Sequence, residues 1–267
     1  MFEPILAFFR AYSVRQPLGG PRMRFGVVWF VVLLLALLGG SFAVTLVFGL
    51  VGATAGLQVA ATWRSRKVAV NQVVAGATPG LLALAAWLGL RAVGLALIVI
   101  VAAALVLGTD TKPTKASLDS KRIRAALPTA SATLRSGLFI GLAVAATVQV
   151  HRVDPMSFLF LMSVTCVYDC GDYLVGSGVR NRLVGPIAGL VGVAVVVLAI
   201  TAINPPPLTD DGDVRTIGLL MGLACPIGQM LGTWVLPSTR AKAPALRRLD
   251  SWLVAAPVCL IGLWLAT

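Results

Sequence analysis

Charge is what this 267-residue chain has least of: Asp, Glu, Lys and Arg make up 12% of it, and only ten residues are acidic. A soluble domain carries about 25% charged residues. The shortfall, with 58% apolar residues and a mean hydropathy of +0.92, leaves no room for a soluble domain of any size. The four cysteines, Cys166, Cys170, Cys225 and Cys259, form no CxxC and lie in or beside apolar runs, where thiols act as small packing residues. Cys166 and Cys170 stand one helical turn apart, too little by itself for a metal site. The single histidine, His151, is expected at an interface on the outer side. Met1 to Pro21 offers neither an unbroken apolar run nor a small-residue cleavage site, so a cleavable signal peptide is not expected. Inverted repeats, which would suit a small transporter, are not visible.

What is there is a series of long apolar runs. Only helices and closed barrels satisfy their backbone hydrogen bonds in lipid, and the runs have helical length. The expected class is an all-α polytopic membrane protein with about nine transmembrane helices. The spans fall near 25–38, 41–63, 70–90, 92–107, 129–150, the stretch opening at Ser157, 183–203, 216–236 and 250–265. Gly39-Gly40 breaks the first run, and Arg91 marks a tight turn. Residues 1–24 read as an amphipathic surface segment, 25–150 as N-terminal membrane helices and 151–267 as C-terminal ones.

The formal net charge of +12 has a membrane explanation before a nucleic-acid one, and no nucleic-acid partner is expected. With the N-terminus in the cytoplasm, segments 1–24, 64–69, 109–128, 176–182 and 237–249 face inward and hold eighteen of the 22 Lys and Arg. Arg91, Arg152 and Arg215 face outward, where the acidic turn Asp210-Asp211-Gly212-Asp213 also lies. This asymmetry is the positive-inside pattern. It predicts a multi-pass protein of the cell membrane with its N-terminus inside.

The stretch 157–182, SFLFLMSVTCVYDCGDYLVGSGVRNR, concentrates the chemistry. An apolar run ends in Asp169 and Asp172, followed by Tyr173 and the turn Gly176-Ser177-Gly178. Residues three apart share a helical face, and carboxylates at membrane depth usually face an ion or substrate cavity. The alternative is that both lie just outside the bilayer, solvated. Gln229, Thr233 and Asp250 fall at the same membrane face, with Arg180, Arg182, Arg240, Lys242, Arg247 and Arg248. Carboxylates beside arginines suit Mg²⁺ and a phosphorylated substrate, since magnesium takes one or two carboxylates plus phosphate oxygens and arginine grips phosphate in two-pronged fashion. Most of these cations are explained equally by contact with lipid headgroups.

The run Asp169-Cys170-Gly171-Asp172-Tyr173-Leu174-Val175-Gly176 resembles the D-x-G-A-Y-x-x-G motif of the phosphatidate cytidylyltransferases, the CDP-diacylglycerol synthases. Leu246 to Val258, LRRLDSWLVAAPV, resembles the same family's closing signature, L-D-R-x-D-S-hydrophobic-x-A-A-P, and Gly228 to Thr233 lies where the family has G-D-L-x-E-S. The likeness covers roughly residues 155–262. It implies Asp169 and Asp250 as catalytic and as Mg²⁺ ligands; Asp172, outside the family pattern, is expected either as a relocated third ligand carboxylate or as the mark of a changed substrate. It implies Tyr173, Gly176 and Arg248 around the substrate, where Arg180 and Thr233 are also expected from their place at the same membrane face. The implied reaction joins CMP from CTP to phosphatidate or a related lipid phosphate and releases pyrophosphate, without a covalent protein nucleophile.

The chain departs from that pattern. The family's H-G-G is replaced near Ala243-Pro244-Ala245, an aspartate is Arg247, the G-D acid is Gln229, a serine is Thr233, and Leu236-Pro237 stands in place of a basic pair. Asp172 stands where alanine is usual. These losses keep open a second expectation: a catalytically degenerate member serving as a lipid-binding or scaffold subunit of a membrane complex. Whether the chain forms a homodimer is also open.

Overall fold

The computed structural model describes residues 22–107, 120–177, 179, 181–203, 210–239 and 241–266, with backbone alone for 22–25 and 120–125. The expected surface segment therefore lies almost wholly outside the described residues. These are all-helical, with no strand among them: α1 (Arg22–Leu38), α2 (Gly40–Arg64), α3 (Gln72–Leu88), α4 (Leu90–Leu107), α5 (Ser120–Val153), α6 (Pro155–Gly176), α7 (Val184–Ile203), α8 (Asp211–Val235) and α9 (Trp252–Ala266). A 3₁₀ turn, Leu246–Arg248, precedes α9. Six of the helices are long and apolar enough to cross a membrane: α2, α4, α5 from Ala126, α6, α7 and α8. The apolar parts of α1, α3 and α9 are shorter.

Sequence breaks explain the element ends. Gly40, at φ +78°, lets α2 start directly after α1, and Gly89, at φ +135°, does the same between α3 and α4. Both values lie in the region that favours glycine. Asn71 caps α3 by accepting the Val74 N–H at 3.1 Å. Asp154 caps α6 by accepting the Ser157 N–H at 2.7 Å, with Pro155 in the first turn, where its missing N–H costs nothing. Two boundaries differ from expectation: α8 begins at Asp211, inside the acidic turn expected at 210–213, and α5 begins early. Helix α5 begins at Ser120, so Lys121, Arg122 and Arg124 extend a helix instead of lying in the polar loop.

Helices α2, α3 and α5 pack tightly against one another, with α4 on their flank. Helices α6, α7, α8 and α9 form a second group, joined to the first through α5 and α9. The outward faces stay apolar: Leu95, Ile98 and Val99 on α4 are 67%, 68% and 60% exposed, which water would not tolerate and lipid does. An aromatic cluster ties the groups together. Phe48 of α2 lies 5.0 Å from Trp252 of α9 and 6.1 Å from Phe158 of α6. Trp252 is 1% exposed, so the residues just before it are fixed in place. His151, in the last turn of α5, is buried beside Phe158, ring centroids 5.4 Å apart.

Candidate active site

Asp169 and Asp172 occupy the last two turns of α6, and they turn to different neighbours. Asp169 Oδ2 accepts the Ser251 hydroxyl at 3.0 Å. Its other oxygen, Oδ1, is buried without a hydrogen-bond partner among the described residues. That is a costly state for a carboxylate oxygen, and it sets aside the reading of Asp169 as a solvated surface acid. Asp172 Oδ2 accepts the Gln229 amide of α8 at 3.3 Å, and Gln229 Oε1 in turn accepts the Tyr168 hydroxyl at 3.3 Å.

Asp250 approaches from the segment before α9. It is 6% exposed. Its Oδ1 accepts the Ser251 N–H at 3.0 Å, and its Oδ2 accepts the Arg247 guanidinium at 3.3 Å. Arg247 also donates to Thr233 Oγ1 at 3.0 Å, while that hydroxyl donates to the Gln229 carbonyl at 3.0 Å. Ser251 thus stands between two carboxylates, giving its hydroxyl to Asp169 and its N–H to Asp250. Burial pushes the Asp250 carboxyl up to about 6, against the attraction of Arg247 and the Ser251 N–H.

Glycines permit this approach. A Cβ at Gly228 would lie 2.3 Å from the Asp250 carbonyl, and one at Gly232 would lie 2.9 Å from Asp250 Cβ, so the 250–251 segment lies directly on α8. A Cβ at Gly185 of α7 would lie 2.4 Å from Asp172 Oδ1. Four elements therefore set the cluster: α6 supplies Asp169 and Asp172, α8 supplies Gln229 and Thr233, α9's lead-in supplies Asp250 and Ser251, and α7 closes on Asp172.

The charges of Asp250, Asp172 and Arg248 all act on Asp169, and that of Asp172 also acts on Asp250. Three carboxylates face two arginines, one of which is bonded to Asp250. Among the described residues no group of three or more His, Cys, Asp or Glu is arranged to hold a metal ion. Ser251 bonds both Asp169 and Asp250, and Gln229 bonds Asp172.

The other expected residues are placed as follows. Thr233 is buried and bridges Gln229 to Arg247. Arg248 is half-buried and reaches towards Gly26 of α1. Gly176 packs α6 on α7, since a Cβ there would lie 2.9 Å from Gly185 Cα. Tyr173 is half-buried, and its backbone carbonyl accepts the Ser177 N–H at 3.1 Å. Arg180 and Gly178 lie outside the described residues. Sequence reasoning did not single out Tyr168 and Ser251. Tyr168 stands four residues before Asp172, a spacing that shares its face, and Ser251 directly follows Asp250.

Compared with models of protein families and with curated protein sequences, the chain matches none.

Proposed function

We propose that this chain is an integral-membrane nucleotidyltransferase of the phosphatidate cytidylyltransferase kind, crossing the cell membrane nine times with its N-terminus in the cytoplasm. A lipid phosphate oxygen attacks the α-phosphorus of CTP, the bond to the β-phosphate oxygen breaks, and pyrophosphate leaves. The observation that carries this reading is the approach of Asp169 and Asp250 to the same serine, with one Asp169 oxygen buried and unbonded. The two acids are 81 residues apart in the chain and lie in the two segments that resemble the family's signatures.

The donor set fits a hard divalent cation. A buried carboxylate oxygen without a donor, with further carboxylate charge beside it, suits Mg²⁺, which takes one or two protein carboxylates and completes its shell with phosphate and water. Asp169 and Asp172 would hold it. When bound, such an ion neutralises charge on the transferring phosphoryl group. The protein's own residues do the rest. Ser251 orients Asp169, Gln229 orients Asp172, and Arg248 adds positive charge where phosphate would lie.

One observation favours the second reading, a lipid-binding or scaffold subunit. Arg247 stands where the family has an acid and is bonded to Asp250, so that carboxylate is already neutralised. A turnover assay separates the two: purified protein, Mg²⁺, labelled CTP and phosphatidate, beside Asp169→Asn and Asp250→Asn. Labelled CDP-diacylglycerol, lost in both variants, is the expected result. No product and no Mg²⁺-dependent CTP binding in the wild type would favour the scaffold reading.

A further inference from the structure

The segment that carries Asp250 and Ser251 borders a second feature. A cavity of about 440 Å³ lies between the end of α2 and residues 237–238 and 241–242, with Gln58, Thr62, Ser65, Arg66, Ser238 and Lys242 among its lining. That volume lies within the range of small-molecule sites, about 300–1,000 Å³.

The groups facing it are donors and cations. Among the described residues no Asp or Glu lines it. Arg66 is not consumed in capping α2, because the carbonyls of that helix end are met locally. Thr62 Oγ1 donates to Val59 O and Ser65 Oγ to Thr62 O, both at 2.7 Å, and the Ser65, Arg66 and Lys67 N–H groups donate to Ala61, Trp63 and Arg64 carbonyls. Gln58 Oε1 accepts the Ala245 N–H at 2.9 Å, which leaves its NH₂ as a donor. Among the described residues neither Arg66 nor Lys242 forms a salt bridge. Both are exposed at the mouth, while Gln58 lies more than two helical turns further up α2.

The walls are held in place. The Trp63 indole N–H donates to the Val235 carbonyl at 2.9 Å, and the Arg135 guanidinium of α5 lies between the Trp63 and Trp234 rings, 4.9 and 3.9 Å from their centroids. Helices α2, α5 and α8 are thereby clamped beside the opening. A concave site with two cations, an amide donor, a hydroxyl and, among the described residues, no acid is suited to an oxyanion.

We propose that this cavity binds a phosphate ester group, with Arg66 and Lys242 carrying the charge and Gln58 and Ser238 orienting the phosphate oxygens. The phosphate belongs either to a lipid headgroup or to a soluble molecule. The inference does not depend on nucleotidyl transfer, because binding is read without turnover.

The test uses the full chain in nanodiscs and follows its tryptophan emission, to which Trp63 and Trp234 contribute. One arm compares phosphatidylcholine discs with and without phosphatidate. The other titrates inorganic pyrophosphate into discs of phosphatidylcholine alone. Saturable binding in the first arm assigns a lipid phosphate, and in the second a soluble one. Arg66→Gln and Lys242→Gln are each expected to weaken it about fivefold, the effect of one basic residue at a membrane surface. Lys67→Gln removes an exposed cation that does not line the cavity, and is expected to leave binding unchanged. No saturable binding in either arm, or an equal loss in Lys67→Gln, would overturn the proposal.

Discussion

Asp250 and Arg247 form the ion pair on which the carboxylate cluster closes, and its energetics are testable one residue at a time. Removing one partner of a buried pair leaves an uncompensated charge, at a cost of about 3 kcal/mol, whereas replacing both with apolar residues is often neutral. Arg247→Met is therefore expected to lower the thermal midpoint in detergent, and Arg247→Met with Asp250→Leu to recover most of it. Equal destabilisation in both would show that packing dominates there. The raised Asp250 pKa carries its own signature. The carboxyl titrates near 6 in the fold and near 3.8 when unperturbed. Between these values the folded state binds the extra proton, so this group's contribution to stability falls as pH rises through that window. Thermal midpoints measured across it should decline in the wild type and flatten in Asp250→Asn. An unchanged slope in the variant would assign the titration to another group.

At the scale of elements, the site depends on close helix approach more than on propensity. Gly185 and Gly228 each stand where a Cβ would meet Asp172 or the Asp250 carbonyl at 2.4 and 2.3 Å. Overpacking of this kind costs about 1–3 kcal/mol. Gly185→Ala and Gly228→Ala should lower the thermal midpoint, and any turnover with it. Gly94, whose Cβ would meet nothing within 4 Å, is the control, and Gly94→Ala should be neutral or slightly stabilising. A large loss in Gly94→Ala would mean that lipid contact, not helix packing, limits these positions.

For the whole molecule, the decisive question is which face of the membrane carries the cluster and the basic cavity. Positive-inside asymmetry predicts the cytoplasmic face for both. Single cysteines at Lys67 and Asp213, in a background lacking Cys166, Cys170, Cys225 and Cys259, test this with an impermeant thiol reagent. Lys67→Cys should react only when the cytoplasmic face is open, and Asp213→Cys only from outside. Reaction of both from one side would break the alternation on which nine crossings rest.

Most helix boundaries were legible in the chain because local rules set them: apolar runs, Gly39-Gly40 and the proline after Asp154, whereas α8 starts inside the acidic turn 210–213, where Asp210 caps it. These depend on neighbours within one or two turns. The early start of α5 was missed because polar residues such as Lys121 and Arg122 extend a helix as readily as they leave it. The candidate site was legible only as residue types at one membrane face. That Ser251 stands between Asp169 and Asp250, that Gln229 holds Asp172, and that Tyr168 bonds Gln229 follow from the packing of α6, α8 and α9. So does the assembly of a basic cavity from Gln58 and Arg66 at the end of α2 with Lys242, which lies far from them in the chain. Composition and periodicity determined that the chain is a helical membrane protein, because backbone satisfaction and hydrophobicity act locally. Tertiary structure decided which polar groups meet, because contacts between distant segments depend on glycine approaches and aromatic anchors that no local pattern encodes.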